Sequence, residues 1–184
     1  MNNHDKKLLD TIRDILDRNN FNNQKIDLQS MERPPNAPPI QDAFRIRVTQ
    51  PLRFGVELVK PKPMKDFLFV AGRLNISPQH QEQITKLDQS KQLDLLDEIR
   101  LELGRLEPTF KFHAPNGQLG AIETMMPVIL STDEQLPKDL FGAMDAVNKA
   151  FFQTIMVLQR FLRTAGFTPT SEGRETTGVD PFYQ

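Results

Sequence analysis

Hydrophobic and polar residues alternate along this chain with two different periods, and the change of period divides it into elements. From about residue 4 to residue 19 the apolar side chains recur at helical steps of three and four, and charged residues fill the other face. From residue 43 to residue 58 the period is two, interrupted by a turn at Gln50-Pro51. This pattern predicts a helix followed by a β-hairpin with one apolar and one polar face. Residues 67–71 are apolar on both faces, which predicts a central third strand.

The second half of the chain shows a helical pattern, then a strand pattern, then a second helical pattern. A Ser-Pro pair at 77–78 is a helix start, and polar residues at 88–90 predict that this helix breaks into two pieces. Two short strands are predicted at 109–113 and 121–130. The last helix is predicted at 137–165, and a helix of about 28 residues is roughly 42 Å long, longer than the sheet of such a domain needs for cover. Some of its apolar surface therefore requires a further partner.

Together the elements predict an α+β fold in the order αβββαββα, with a five-stranded antiparallel sheet packed on one face by long helices. Apolar residues within 21–28 leave open a short additional strand ahead of the hairpin. We divide the chain into residues 1–41, with the first helix and a proline-rich spacer, a main domain at 42–165, and a flexible C-terminal tail at 166–184.

The amino-acid composition excludes several kinds of functional site. The chain has 184 residues, with 23 Lys and Arg against 24 Asp and Glu, and a formal net charge of −1. It contains no Cys, which excludes a disulfide framework, a thiolate nucleophile and a thiolate zinc site. The three His lie far apart without ligand spacing, and no catalytic or nucleotide-binding motif is present. We therefore expect no catalytic residues, no cofactor and no metal.

Several short segments and the order of elements carry a likeness to known proteins. These segments are Val48-Thr49-Gln50-Pro51, Val59-Lys60-Pro61-Lys62, Lys65-Asp66-Phe67, Ser77-Pro78 and Asp97-Glu98-Ile99-Arg100-Leu101-Glu102-Leu103, together with the wide last helix. The order of elements resembles the type III secretion chaperone fold, whose members usually form homodimers. The stretch from Phe44 to Leu162 is similar, more closely, to a family of small, mostly archaeal proteins of unknown function with a related fold. This resemblance implies a fold and brings no catalytic residues with it.

The last helix has a wider apolar arc than a single buried stripe requires. Phe141, Phe152, Met156 and Phe161 lie partly off its main stripe. Met and large aromatic side chains suit adaptable contacts between proteins, so the arc predicts a dimer surface or a client-binding surface. The alternative is that the helix is buried on all sides by its own domain. We interpret the chain as a non-catalytic protein-binding module, chaperone-like or an adaptor, that acts as a homodimer.

The polar face of the hairpin and the loop after it are rich in basic residues. The candidate basic face consists of Arg45, Arg47, Arg53, Lys60 and Lys62. Residues 34–75 carry seven basic and three acidic side chains, whereas residues 76–135 carry five basic and ten acidic ones. Such a face could bind an anionic partner such as RNA or a ribonucleoprotein. The alternative is a solvated face on which Glu57 pairs with Arg45 or Arg47.

Terminal signals add little to this picture. The residues after Lys6 and Lys7 form an amphipathic segment, and no apolar stretch reaches the roughly 20 residues of a membrane span. We therefore expect a soluble, cytoplasmic protein. The C-terminal residues 179–183 resemble the hydrophobic anchor of sliding-clamp-binding peptides, but Thr176 stands where that motif has Gln. A sliding-clamp contact is accordingly not expected.

Overall fold

The computed structural model describes residues 2–28, 42–114, 118–130 and 134–167. The predicted proline-rich spacer, the tail beyond residue 167 and its clamp-like peptide lie outside the described residues. The chain forms two compact units: Met1–Ala71 with Met126–Asp145, and Gly72–Met125 with Ala146–Gln184.

Four helices and six strands make up the described parts of the chain. Their bounds are α1 Asn3–Arg18, β1 Asn23–Lys25, β2 Asp42–Val48, β3 Val56–Pro61, β4 Phe67–Asn75, α2 Pro78–Thr85, α3 Gln89–Leu103, β5 Thr109–His113, β6 Ala121–Ile129 and α4 Leu136–Thr164. The α+β class is therefore confirmed, and each predicted helix is present.

The sheet has six strands, in the order β1-β2-β3-β4-β6-β5, so the prediction of five strands was wrong. The additional strand is β1, which pairs antiparallel with β2 through Asn23 opposite Val48 and Lys25 opposite Ile46. β1 has only three residues, all polar, and therefore lacks the alternating pattern by which strands are recognised. It forms because its backbone groups extend the hydrogen-bonded ladder of β2.

In the first unit, α1 and the hairpin bury apolar side chains. Asn2 caps α1 by accepting a hydrogen bond from Asp5 N at 2.7 Å, and the helix buries Leu9, Ile12 and Leu16. On β3, buried residues alternate with half-buried ones, as expected for a strand with one face in the core. The first helix and the hairpin belong to the same compact unit.

In the second unit, α2, α3 and the later part of α4 pack around a buried apolar cluster. This cluster includes Leu95, Ile99, Leu103, Ile122, Leu158 and Leu162. The predicted break in the middle helix is present: α2 ends at Thr85, and Asp88 caps α3 by accepting a hydrogen bond from Lys91 N at 2.9 Å. This bond lowers the pKa of the Asp88 carboxyl, because it stabilises the ionised form.

His80, in the first turn of α2, makes the stability of the protein depend on pH. Burial disfavours the imidazolium and lowers the pKa of His80, whose Nδ1 lies 3.0 Å from Ser77 Oγ. The unfolded chain therefore takes up this proton at a higher pH than the folded chain. Above the unfolded pKa of about 6.5, His80 is neutral in both states and costs the folded protein no stability. As the pH falls from there through the lowered pKa of the folded state, the free energy of unfolding decreases.

We expect the urea midpoint to fall between about pH 7.5 and about pH 5.5, and to fall less in His80→Gln. Urea unfolding followed by circular dichroism at the two pH values measures this difference. His4→Gln, at an exposed position of α1, is the matched control and should keep the wild-type difference. An equal pH dependence in wild type and His80→Gln would contradict the assignment.

Candidate functional site

Two large apolar side chains are exposed on the later part of α4. Phe152 and Met156 are 40% and 47% exposed. Residues four apart lie on the same side of a helix, so the two side chains form one continuous apolar stripe. The exposed Lys149 and Arg160 lie about one turn before and after them. An apolar stripe with a charged border is typical of a contact surface between proteins.

The other two residues predicted for this surface have partners within their own unit. Phe141 is half-buried, and its ring stacks on that of Phe21 with centroids 5.3 Å apart and planes 14° apart. Phe161 is half-buried against the apolar cluster of the second unit. The four-residue surface predicted from the helical pattern is therefore reduced to Phe152 and Met156, because the outer residues of the arc are covered by other elements.

Helix α3 runs beside α4 and extends this apolar surface. Gln153 Nε2 donates a hydrogen bond to Glu102 Oε2 at 3.3 Å, and Arg160 donates to Glu98. The later residue of α4, Arg160, contacts the earlier residue of α3, Glu98, so the two helices are antiparallel. Leu101, 59% exposed, follows Glu98 by three residues and lies on the solvent side of this contact. We call Leu101, Phe152 and Met156 the α3–α4 surface.

Two of the predicted basic residues are held in ion pairs on the polar face of the hairpin. Arg45 Nε lies 2.6 Å from Asp42 Oδ2, and a second nitrogen of the same guanidinium lies 3.2 Å from Glu57 Oε2. Arg47 lies 3.6 Å from the other oxygen of Glu57. Burial by itself lowers the pKa of Arg45, but the hydrogen bonds and charges of Asp42 and Glu57 outweigh it, and the pKa is raised. These carboxylates balance the charge that an RNA phosphate would otherwise meet.

Of the remaining basic residues, Arg53 and Lys62 are exposed, whereas Lys60 is buried. Lys60 is 1% exposed, and its Nζ donates hydrogen bonds to the carbonyl oxygens of Pro61, at 3.2 Å, and Met64. The guanidinium of Arg53 lies 5.6 Å from the centre of the Phe54 ring. Lys62 is exposed in the loop after β3. The predicted inclusion of Lys60 in an exposed basic face was wrong, because the two-residue period of β3 directs its side chain to the buried side.

His113 on β5 and Glu123 on β6 form a polar pair that was not predicted from the sequence. His113 Nε2 is 2.7 Å from Glu123 Oε2, since the register of the two strands places Lys111 opposite Glu123 and His113 two residues further on.

Within the described ranges, no group of three or more acidic, His or Cys side chains is arranged to hold a metal ion. None of the helices in the described parts of the chain is both long and apolar enough to span a membrane.

Exposed apolar residues on the sheet were also missed. Phe67 is 39% exposed, although it lies on a strand whose pattern indicated burial on both faces, and Ile129 on β6 is 57% exposed. The apolar character of both faces of residues 67–71 does indicate a central strand, and β4 lies between β3 and β6. It did not show that one face of that strand remains open.

Comparison with known proteins identifies the family of the chain and two solved structures that resemble it. An uncharacterized protein from Methanothermobacter thermautotrophicus has a similar structure, with a TM-score of 0.67 and 20% identity over 83% of this chain and 97% of that chain. YbjN from E. coli is less similar, with a TM-score of 0.46 and 10% identity over 80% of this chain and 91% of that chain. No curated protein matches the sequence. The model of the family described as uncharacterized conserved protein (DUF2299) matches residues 8–158, and the chain belongs to this family.

Proposed function

We propose that this protein is a non-catalytic protein-binding module, chaperone-like or an adaptor, that acts as a homodimer through the α3–α4 surface. The observation that carries the proposal is the exposure of Phe152 and Met156, one turn apart and beside the exposed Leu101 of α3. Clustered side chains of this size are uncommon on the free surface of a monomer and are typical of the core of an interface.

The charges around this surface favour a second copy as the occupant. The exposed side of α4 carries Lys149 and Arg163 with one acidic residue, Asp145, and the exposed side of α3 carries Asp94. A two-fold contact brings the same patch of both copies together, so α4 of one copy can meet α3 of the other. Basic and acidic residues then face each other around an apolar centre.

RNA binding through the hairpin has less support. Arg45 and Arg47 are engaged by Asp42 and Glu57, and Lys60 is buried. Phosphate recognition would first have to break these ion pairs, at a cost that a free basic surface does not carry.

Replacing both Phe152 and Met156 with Asp tests the proposal. We expect the wild type to have twice the chain mass of 21.1 kDa and the double variant to have that mass itself. The reason is that two carboxylates per copy would be buried without partners in the interface. Size-exclusion chromatography with light scattering measures the mass, and circular dichroism shows that the variant is folded.

Leu93→Asp is the matched control. Leu93 is a 54% exposed apolar residue of α3 that lies outside the α3–α4 surface, so this variant should remain a dimer. A monomeric wild type across the accessible concentration range, or a double variant with unchanged mass, would refute the proposal.

A further inference from the structure

One face of the sheet in the first unit carries an apolar patch that is separate from the α3–α4 surface. Val59 lies opposite Phe69 in the pairing of β3 with β4, and directly opposed residues share a face of the sheet. Phe67 precedes Phe69 by two residues and lies on the same face. We call Val59, Phe67, Phe69 and Ile129 the outer-face patch.

Ile129 joins this patch from β6. Leu130 N donates a hydrogen bond to Asp66 O at 2.9 Å, so the adjacent residues Ile129 and Phe67 lie side by side on neighbouring strands. The alternate residues Leu68 and Val128 are buried, which leaves Phe67 and Ile129 on the opposite, open face. They are 39% and 57% exposed, whereas Val59 and Phe69 are half-buried. The patch therefore has a partly covered centre and an accessible apolar margin.

The loop that leads into β4 gives this margin a positive charge. Lys62 and Lys65 are both exposed, and Met64 between them is 46% exposed. Among the ion pairs seen in the described residues, neither lysine has a partner. Asp66 is the sole carboxylate of residues 62–66. Arg45, opposite Val59 on the same face, is already balanced by Asp42 and Glu57.

We propose that the outer-face patch binds a segment of another protein that carries aliphatic or aromatic side chains flanked by carboxylates. The apolar side chains would cover Phe67 and Ile129, and the carboxylates would lie near Lys62 and Lys65. A two-fold contact of this patch with itself would bring the same lysines of both copies together, which like-charge repulsion disfavours. The positive charge of Lys62 and Lys65 therefore favours an acidic partner over a second copy of the chain.

A labelled peptide of defined composition tests this inference by fluorescence anisotropy. The probe is a peptide of about twelve residues with a central run of Leu and Phe flanked by Glu on both sides; the comparison peptide has Lys in place of every Glu. We expect the first peptide to bind the wild type more tightly than the second. Ile129→Asp should weaken binding of the first peptide by about tenfold or more, since a carboxylate then stands in the apolar contact.

The double variant Lys62→Glu/Lys65→Glu should bind the Lys-flanked peptide more tightly than the Glu-flanked one, because the charge of the margin is reversed. Leu93→Asp lies outside the patch and should bind as the wild type does. Phe152→Asp/Met156→Asp should also keep peptide binding, so failure of the dimer proposal leaves this inference intact.

Several results would overturn the inference. They are absence of binding by either peptide, equal binding of both peptides, and binding that Ile129→Asp leaves unchanged. Preference for an oligoadenylate over the Glu-flanked peptide would instead assign the lysines to nucleic acid and would equally refute it. Size-exclusion chromatography of Ile129→Asp completes the test, because a loss of dimer mass in this variant would show that a second copy covers the patch.

Discussion

Gly72→Ala is expected to lower the free energy of unfolding by about 1–3 kcal/mol, the range seen when a methyl group is forced into a packed core. A Cβ at this position of β4 would lie 2.6 Å from Phe151 Cε2 and 3.3 Å from Val147 Cγ1. Phe151 is 1% exposed, so its ring cannot turn out toward solvent. Either α4 must shift in the second unit or the strand must bend. Urea unfolding followed by circular dichroism measures the loss.

The same substitution at Gly142 is the matched control. Gly142 is an exposed residue within α4, and a Cβ there would meet nothing within 4 Å. Ala is a better helix former than Gly, so Gly142→Ala should stabilise the protein by up to about 1 kcal/mol. The two Gly→Ala changes therefore have opposite expected signs.

A second variant tests the cause of the loss. Phe151→Leu shortens the side chain that meets the new methyl group. In the double variant the two changes should cost less together than the sum of their separate costs, with a coupling of about 0.5–3 kcal/mol. Additive costs, or a Gly72→Ala protein as stable as wild type, would contradict the close approach of β4 to α4 in this unit.

Lys60→Ala is expected to destabilise the protein by about 2–5 kcal/mol, as large-to-small changes do at buried positions. The alkyl chain of Lys60 is buried, and its ammonium group donates to the carbonyl oxygens of Pro61 and Met64. These bonds hold the start of the loop that carries Lys62 and Lys65. The substitution removes both the packing and the donor, and it leaves two acceptors without their partner.

Lys60→Met separates these two effects. Met keeps most of the buried volume and loses only the donor, so global stability should fall less than in Lys60→Ala. Amide hydrogen exchange at residues 62 and 64–66 should nonetheless become faster, because the loop is no longer anchored. Lys62→Met, at an exposed position two residues further on, should change stability by no more than about 0.5 kcal/mol. Wild-type stability of Lys60→Ala would refute the anchoring role.

Helices and paired strands could be predicted because their signals are local. The first helix was predicted at residues 4–19 and is observed at Asn3–Arg18, and the last was predicted at 137–165 and is observed at Leu136–Thr164. Both have long periodic apolar faces and clear ends. β1 could not be predicted with the same clarity, because its three polar residues form a strand only by pairing with β2.

The candidate site was predictable only in part. Helical spacing identified Phe152 and Met156 as lying off the main stripe, and both are exposed. The same spacing selected Phe141, which is covered by Phe21, a residue that lies far from it in sequence. Lys60 shows the reverse case. Its charge suggested a surface, but the strand period and the carbonyl oxygens of Pro61 and Met64 place it in the interior.

The sequence by itself determined the fold class, the positions of the helices, the break at Asp88 and the absence of thiol chemistry. Each depends on composition or on residues close together along the chain. Only the tertiary structure decided which apolar residues remain exposed, that both Arg45 and Arg47 pair with Glu57, and that the short strand left open within residues 21–28 forms by pairing with β2. Those properties depend on contacts between residues distant in sequence, such as Phe21 with Phe141 and Arg45 with Glu57. A partner-binding surface consists of the residues that such contacts leave exposed, so it can be identified only once those contacts are known.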